Sequence, residues 1–388
     1  MKIVKLLFKN AFRHKLRTIL TILGIAIAVM AFALMRFVVN AWNAGVDVAS
    51  ADRVIVRHAV SFVFHLPYAY RERILNVPGV KDVTNCTWFN GAYKDPKDFN
   101  NFFARIAINP ENFFKIYPEY IVKSNELEAF KRERNACIVG EKTAKQHNLK
   151  IGDVIPLEGD IYPGHWEFVI RGIYHGKDKS IDATQMFFHY KYLDEVMRRD
   201  MPARAGQVGW FVMEVDNPNN VANISTAVDN IFRNSSAETK TETEKAFYQS
   251  FVSMSSALIK AMNIVSFVII GIILLVLANT MAMTARERIT EYAVMKTLGF
   301  GGKHLLGLIA GEAILIAVIG GLIGVPLAIG FAMGFSMMFP NWFPNFPNMD
   351  VIIAVAFGVA VLVGIVSAVF PALRATRMRI VDGLRYVG

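Results

Sequence analysis

The residue types that carry out nucleophilic, phosphate or metal chemistry show no catalytic spacing in this sequence. Its 388 residues include 2 Cys and 8 His and contain no HExxH, CxxC or GxSxG pattern. The nearest match to a phosphate-binding loop is GFGGKH at residues 299–304, which lacks the four-residue gap between glycines and the Ser or Thr after Lys that would reach magnesium. We therefore expect no catalytic residue, no metal site, no cofactor in this chain and no ATP hydrolysis by the chain alone.

One charged segment, Arg286–Gly299, has the pattern of a short amphipathic helix. Glu287 and Glu291 lie toward its N-terminus and Lys296 lies in its last turns, which suits the helix dipole, and Gly299 can take the left-handed conformation that ends a helix. Apolar residues at helical spacing form a second face, which we expect to lie against a partner or the bilayer: Ile289, Tyr292, Ala293 and Met295. A plain amphipathic loop helix is the alternative.

This segment lies between uncharged runs that are long enough to span a membrane. A spanning helix needs about 20 apolar residues, because hydrocarbon offers no water to unpaired backbone groups. Four runs meet this requirement: Thr18–Met35, Ala261–Ala285, Ala313–Met349 and Val351–Leu373. The third run is broken near its end by Pro340, Pro344 and Pro347. We predict spans at residues 18–39, 261–285, 305–338 and 351–373, with an aromatic-rich extracytoplasmic turn at residues 339–350.

The distribution of charge sets the direction of the spans. Residues 40–260 contain 27 basic and 27 acidic residues, so the net charge of +10 belongs to the flanking segments. Basic residues beside spans mark the cytoplasmic side, which places residues 1–17, 286–304 and 374–388 in the cytoplasm and argues against nucleic-acid binding. A cleaved signal peptide is the alternative for the first span, but its apolar run exceeds the roughly 7–15 residues of such peptides. An uncleaved anchor fits better.

Residues 40–238 show the short strands and helices of a mixed α+β domain, in which we expect two subdomains. Cys86 and Cys137 fall in predicted strands, where a disulfide remains open and two buried thiols are favoured. Residues 239–260 are predicted as a stalk helix, because four apolar residues recur at helical spacing: Phe247, Phe251, Met254 and Leu258. Contact with a second stalk and core packing against the first helix are both consistent with this stripe.

Glu312 lies about a turn and a half inside the third predicted span. An acid at that depth is costly and has to face protein or water. We expect it to support the cytoplasmic loop through Arg286, Arg288 or Lys303. A purely structural role is the alternative.

Two further features within the spans concern packing and anchoring. Arg36 follows the first uncharged run, and its side chain can reach the headgroups. Gly320 and Gly324 indicate close helix packing with no particular partner. Together these observations define the fold class: an α-helical polytopic membrane protein with four transmembrane helices and a large mixed α+β extracytoplasmic domain inserted between the first and second spans. We expect it in the cell (inner) membrane, with both termini in the cytoplasm.

The C-terminal third resembles the MacB/FtsX-type permease family of ABC transporters. The family motif ER-x-x-E-[IL]-G-x-x-[RK]-x-[LI]-G is matched by residues 287–299, with Tyr292-Ala293 in place of Ile-Gly. The next family span has one Glu and then a Gly-Gly-x-x-Gly run, which Glu312 and residues 320–324 match. PALRA at residues 371–375 and GLR at residues 383–385 approach the C-terminal motif. Weaker similarity extends upstream into the periplasmic core domain.

The resemblance implies a permease subunit that forms a dimer and binds separate ATPase subunits, which hold ATP and magnesium. The loop helix would be the coupling element, with the ATPase contact formed by Glu287, Arg288, Glu291, Lys296 and Gly299. A stalk continuous with the second span would pass movement to the outer domain. Implied partners are the ABC ATPase, a second copy or related permease, the membrane, and a periplasmic adaptor or carrier. Implied outputs are export, lipoprotein extraction or hydrolase activation, and the size of the outer domain favours the first two.

A membrane receptor or sensor with a ligand-binding outer domain is the alternative from another functional class. A neighbouring coding sequence for an ATPase with its own GxxxxGK[ST] motif would support transport. A neighbouring kinase or response regulator would support sensing.

We predict that an impermeant thiol reagent labels single cysteines introduced near Asp95 or Asp178 in intact cells, and does not label one introduced near Thr290. The physical reason is that the three basic clusters hold residues 286–304 on the cytoplasmic side. Labelling near Thr290, with protection of the other two positions, would reverse this topology.

Overall fold

A computed structural model of the chain describes residues 2–178, 180–338 and 349–381. These residues form two compact units. The helical unit is the described part of Met1–Asn40, Ser255–Met337 and Asn348–Gly388, and the α/β unit is the described part of Ala41–Met254 and Met338–Pro347. Each unit has its own packing.

The described residues form thirteen α-helices, and the longest belong to the helical unit. In chain order they are α1 (Lys2–Ala11), α2 (Lys15–Val48), α3 (Tyr70–Leu75), α4 (Phe113–Ile116), α5 (Ser124–Arg132), α6 (Glu141–His147), α7 (Tyr190–Asp200), α8 (Val221–Phe232), α9 (Glu244–Met254), α10 (Ser256–Glu287), α11 (Ile289–Thr297), α12 (Gly302–Met338) and α13 (Met349–Arg377).

Four of these helices are long and apolar enough to cross a membrane, namely α2, α10, α12 and α13. Each predicted span falls within one of them. Each helix extends beyond its uncharged run, because Lys, Arg and Glu at a helix end can reach water. Residues 339–348 of the predicted turn lie outside the described residues. Met349 and Asp350, which the sequence places in that turn, begin α13 instead.

Small residues bring α12 close to α2. A Cβ on Gly320 would lie 2.5 Å from a methyl group of Ile25, and a Cβ on Gly324 would lie 2.5 Å from the carbonyl oxygen of Ala26. Such distances leave no room for a side chain. The partner of the two-glycine pattern is therefore the first long helix of the same chain.

α10 is less buried within the helical unit than the other three long helices. Its polar contacts to α2 include an approach of 3.4 Å between the hydroxyls of Thr21 and Thr280, and a 3.1 Å hydrogen bond from Arg36 Nη1 to Asn263 Oδ1. Arg36 therefore has a protein partner besides any access to headgroups. α10 also packs along α13. Only 17% of its apolar window is buried, against 39–44% for the others, so most of its apolar surface faces outward.

The α/β unit contains thirteen strands in the described residues. They are β1 (Arg53–His58), β2 (Leu66–Pro67), β3 (Val80–Trp88), β4 (Gly91–Ala92), β5 (Arg105–Ile108), β6 (Tyr120–Ile121), β7 (Ala136–Gly140), β8 (Val154–Gly159), β9 (Gly164–Gly176), β10 (Met186–His189), β11 (Gln207–Val208), β12 (Trp210–Val215) and β13 (Thr239–Thr243).

Eleven of these strands join into one mixed sheet. Ten follow the order β13-β1-β12-β3-β5-β10-β7-β9-β8-β4, and β6 pairs with β9 beside this path. β10 lies parallel to β5 and β7 lies parallel to β9, whereas β1 runs antiparallel to both of its neighbours. β2 and β11 form a separate two-stranded sheet.

Both faces of the central strands of the large sheet are buried, and successive side chains of such a strand point into opposite cores. On β1, Val54 and Val56 join one hydrophobic core, and Ile55 joins the other. Helices α3, α7 and α8 contribute to the first core, and α4, α5 and α9 contribute to the second. The mixed α+β domain of the sequence prediction is thus a three-layer structure with a central sheet.

The structure corrects two expectations for this unit. The large sheet is continuous, so the described residues do not divide into two subdomains. The predicted stalk helix at residues 239–260 is also wrong in part. Thr239–Thr243 forms β13 beside β1, the helix begins at Glu244, and Ser255 separates α9 from α10.

The helix prediction fails at residues 239–243 because β13 is a polar strand. Thr239 and Thr241 point their hydroxyls at Asp229 of α8, with hydrogen bonds of 2.8 and 2.6 Å. The buried side chains of this strand are threonines, so the sequence shows no alternation of apolar and polar residues that would indicate a strand.

The two cysteines agree with the expectation of two buried thiols. Cys86 and Cys137 are buried and unbonded, and burial raises the pKa of both thiols.

We predict that Gly324→Ala lowers the free energy of unfolding by about 1–3 kcal/mol, because the new methyl group would overlap the Ala26 carbonyl. Gly330→Ala is the matched control, since a Cβ there meets nothing within 4 Å. It should be neutral or stabilising by up to about 1 kcal/mol. Denaturant unfolding of the purified chain in detergent measures both values. Equal effects of the two substitutions would contradict the packing of α12 on α2.

Candidate functional site

The charged segment between α10 and α12 forms a tight helical corner. α10 ends at Glu287, Arg288 lies between the helices, and α11 follows directly. Gly299 has a φ of +88°, which ends this region in the left-handed conformation. A short helix followed by a glycine stop is what the sequence predicts here.

A buried ion pair joins the corner to α12. Arg288 Nη1 donates a 3.1 Å hydrogen bond to Glu312 Oε2, and the two side chains are 6% and 3% exposed. Arg288 Nε also donates to Glu291 Oε2 at 3.0 Å. Of the three cations expected near Glu312, the structure selects Arg288. A buried carboxylate needs such a partner, because burial of an unpaired charge is costly.

Both glutamates of the corner are paired with the N-terminal segment of the chain. Arg17 donates from both Nη atoms to Glu287, at 2.9 and 2.8 Å, and His14 Nε2 lies 3.4 Å from the same carboxylate. Arg13 Nη1 donates to Glu291 Oε1. Sequence reasoning treated these basic residues only as markers of the cytoplasmic side. One signal was present: the arginines and the glutamates each lie four residues apart and pair in antiparallel order.

The electrostatics of α11 keep Glu291 ionised. Partial burial tends to raise the pKa of this carboxyl, but hydrogen bonds from Arg13 and Arg288 outweigh that effect and hold the pKa below its usual value. Next to it, Tyr292 is buried, which raises the pKa of its hydroxyl to about 12. Glu291 is therefore a charged member of an internal network, with both oxygens engaged within the chain.

Lys296 connects α11 to the end of α13. Its Nζ donates to the carbonyl oxygens of Thr376 and Met378, at 2.7 and 2.6 Å. The last carbonyls of a helix have no partner within the helix and carry partial negative charge, so a lysine satisfies them well. Like Glu287, Arg288 and Glu291, Lys296 is engaged inside this chain.

Part of the outward surface of the corner is apolar. Val294, Leu298 and Phe300 are 44%, 72% and 50% exposed, and we call these three residues the apolar rim. Tyr292 and Ala293, expected on the partner-facing side, are instead buried within the helical unit. Sequence reasoning missed the rim, because Leu298 and Phe300 lie beyond α11, where helical periodicity no longer applies.

The predicted stripe on the stalk is not one continuous surface. Phe247 is 7% exposed and belongs to the second core of the α/β unit, and Phe251 packs on it with ring centroids 5.0 Å apart. Met254 is 74% exposed and Leu258 is 51% exposed. Only these last two residues present apolar surface to the outside.

A second buried ion cluster lies where the chain enters and leaves the α/β unit. Arg53 of β1 contacts Glu244 at 2.9 Å and Glu119 at 2.6 Å. Glu244, the first residue of α9, also accepts a 2.9 Å hydrogen bond from the backbone N–H of Ser50. Burial lowers the pKa of Arg53, but the two carboxylates outweigh this and raise it well above its usual value. The cluster therefore joins the segment by which the chain enters this unit to the segment by which it leaves.

An open cavity of about 320 Å³ in the α/β unit has a mixed polar and apolar lining that includes His58, Phe64, His65 and Gln207. His65 Nε2 lies 3.0 Å from the hydroxyl of Tyr162. Burial and the nearby Arg204 lower the pKa of His65, which favours the neutral form of the ring. In the part of the chain that the structure describes, no cluster of three or more His, Cys, Asp or Glu side chains is arranged to hold a metal ion.

We predict that Glu312→Ala lowers the free energy of unfolding by about 3 kcal/mol, because the buried Arg288 would lose its buried partner and keep only Glu291, which is 40% exposed. The double variant Arg288→Met/Glu312→Met should recover more than half of that loss, since it leaves no charge at this position. Denaturant unfolding of each purified variant in detergent gives the comparison. A double variant at least as unstable as Glu312→Ala would show that the pair does not have this role.

Comparison with known proteins identifies two adjoining family regions. The model of the MacB-like periplasmic core domain matches residues 18–231, more than half of the chain, and that of the FtsX-like permease C-terminal domain matches residues 263–380. The chain is 22% identical over 409 aligned positions to the uncharacterized ABC transporter permease MJ1507 of Methanocaldococcus jannaschii. This alignment covers 99% of the chain and 97% of the relative.

Two solved structures are also similar. The periplasmic region of MacB from Actinobacillus actinomycetemcomitans aligns with 52% of this chain and 94% of its own length, at 10% identity and a TM-score of 0.39. The extracellular domain of the transporter YknZ from Gram-positive bacteria aligns with 49% and 98%, at 9% identity and a TM-score of 0.36. On the family matches and the full-length relative, the chain belongs to the ABC transporter permeases with a MacB-like periplasmic core domain and an FtsX-like permease domain.

Proposed function

We propose that this permease couples ATP binding and hydrolysis on a separate ATPase subunit to movement of its α/β unit outside the cytoplasm. Family membership supports the ATPase partner. The basic clusters beside the long helices support a cytoplasmic position for both termini and for the α11 corner, and an extracytoplasmic position for residues 40–260. The cell (inner) membrane is the proposed location.

The observation that carries this proposal is the apolar rim on the corner. Val294, Leu298 and Phe300 are exposed within a segment whose other outward residues are charged or polar, including Arg286 and Lys303. An exposed apolar cluster with a polar border is typical of a protein interaction site. The ATPase subunit covers the rim, whereas the carboxylates of Glu287 and Glu291 act inside the permease.

The internal contacts explain how movement of α11 reaches the long helices. Arg288 is bound to Glu312 of α12, and Lys296 is bound to the carbonyl oxygen of Thr376 at the end of α13. α11 therefore cannot shift alone without breaking a buried ion pair, which is strongly unfavourable. ATP and magnesium stay on the partner, which supplies the chemical step, while this chain transmits the displacement.

Two further features support the proposed assembly and output. α10 has the smallest buried share among the four long helices, which suits pairing with a second copy or a related permease. Met254 and Leu258 are available for that contact, and Phe247 and Phe251 are not. The cavity beside His65, with its mixed polar and apolar lining, suits an amphipathic substrate taken up outside, for export or lipoprotein extraction, with delivery to an adaptor or carrier.

We predict that Leu298→Ser weakens binding of the partner ATPase subunit at least tenfold and lowers permease-stimulated ATP hydrolysis accordingly. The reason is that a 72% exposed leucine on the rim becomes buried on docking. Val63→Ser is the matched control, because Val63 is 67% exposed but lies in the α/β unit. The measurement uses the full chain in nanodiscs with the purified ATPase. Wild-type binding by Leu298→Ser would refute docking at the rim.

A further inference from the structure

Two ion pairs connect the start of α2 with the α11 corner, and no role follows for them from the proposed function alone. Arg13 lies in the turn between α1 and α2, and Arg17 lies in the first turn of α2. Arg17 donates hydrogen bonds from both Nη atoms to Glu287, at 2.8 and 2.9 Å, and Arg13 is bound to Glu291. We call these four residues the latch.

The latch continues into the buried interior. Glu291 is shared between Arg13 and Arg288, and Arg288 is shared between Glu291 and Glu312. The chain of alternating charges therefore runs from the surface to α12. An isolated exposed ion pair contributes little to stability, since two flexible side chains must be ordered to form it. Here Arg288 is 6% exposed and already holds Glu291, so a large part of that ordering cost is removed.

The geometry fixes α11 from two sides. Arg288 and Lys296 hold its inner side to α12 and α13. Arg13 and Arg17 hold the first turn of α11 and the end of α10 to the start of α2. α2 is an unbroken helix of 34 residues, so the latch gives α11 a direct mechanical connection to the first span, separate from its covalent connection to α10.

We infer that Arg13 and Arg17 are positioning residues for coupling: they orient α11 so that the apolar rim faces the ATPase, and they pass displacement of α11 into α2. This inference rests on the proposed function for its link to the ATPase. The existence of the latch rests only on the ion pairs. The two parts are tested by separate readouts.

The first test measures hydrogen exchange of the amides of residues 289–297 in the full chain in nanodiscs, without ATPase. Arg17→Gln should speed this exchange at least fivefold. The charge swap Arg17→Glu/Glu287→Arg should return it to within twofold of wild type, because the pair is restored in reverse. Lys303→Gln is the control, an exposed cation outside the latch, and should leave exchange unchanged. Wild-type exchange in Arg17→Gln would overturn the latch.

The second test measures ATPase affinity and maximal stimulated hydrolysis with the same variants. Arg17→Gln should lower maximal stimulation at least fivefold, and the charge swap should restore it. Arg17→Lys should restore only part of the maximal stimulation, since lysine keeps the charge but loses the bidentate hydrogen bonding of arginine. Full stimulation by Arg17→Gln, with a bound ATPase, would overturn the positioning role. If wild type itself neither binds nor stimulates the ATPase, the proposed function and this role fail together, and exchange alone decides the latch.

Discussion

A carboxylate inside an apolar helix has to find a cation, and that requirement organises the helical unit of this permease. Glu312 lies in α12, where an unpaired charge would cost several kcal/mol. Its partner Arg288 lies between α10 and α11, so the pair brings the end of α10 and the start of α11 against α12. Burial of Tyr292 and Ala293 follows from this placement. With the inner side of α11 filled, the apolar rim is left to face outward.

The α/β unit uses the same physical device at a different place. Arg53 and Glu244 are 7% and 1% exposed, and they join the strand that begins the unit to the helix that ends it. Glu119 and the backbone of Ser50 complete the hydrogen bonding of the two charges. A buried pair in which both partners are satisfied is specific in geometry, since removing either one leaves a buried charge. Each unit thus contains a buried ion pair that joins two elements distant along the chain or separated by a turn.

Much of the architecture could be predicted from the sequence, because it depends on local patterns. Uncharged runs mark the long helices, and the left-handed tendency of glycine marks Gly299 as a stop. The position of Glu312 within the third span leaves three nearby cations as candidate partners. Their distance from Glu312 along the chain does not show that Arg288 is the one that pairs. The close approach at Gly324 is likewise indicated by the glycine pattern, whereas its partner Ala26 is not.

The remaining features depend on contacts between distant parts of the chain. Arg17 and Glu287 are separated by 270 positions, and the sequence offers no sign of their contact beyond the matching four-residue spacing of the two arginines and the two glutamates. Phe247 and Phe251 have a spacing that suits an exposed stripe and a buried face equally well, and only the sheet beneath them decides for burial. β13 was hidden because Asp229, not an apolar core, orders its threonines. Local periodicity identifies elements, but it does not identify partners.

The buried pair between Arg288 and Glu312 fixes α11 within the helical unit. Spin labels on cysteines replacing Thr290 of α11 and Arg374 of α13, both exposed positions, report the distance between these helices directly. The native cysteines are buried in the α/β unit and should not be labelled. In nanodiscs, the account predicts one narrow distance distribution in the otherwise native chain and a clearly broader one with Glu312→Gln. Equally narrow distributions in both proteins would contradict it.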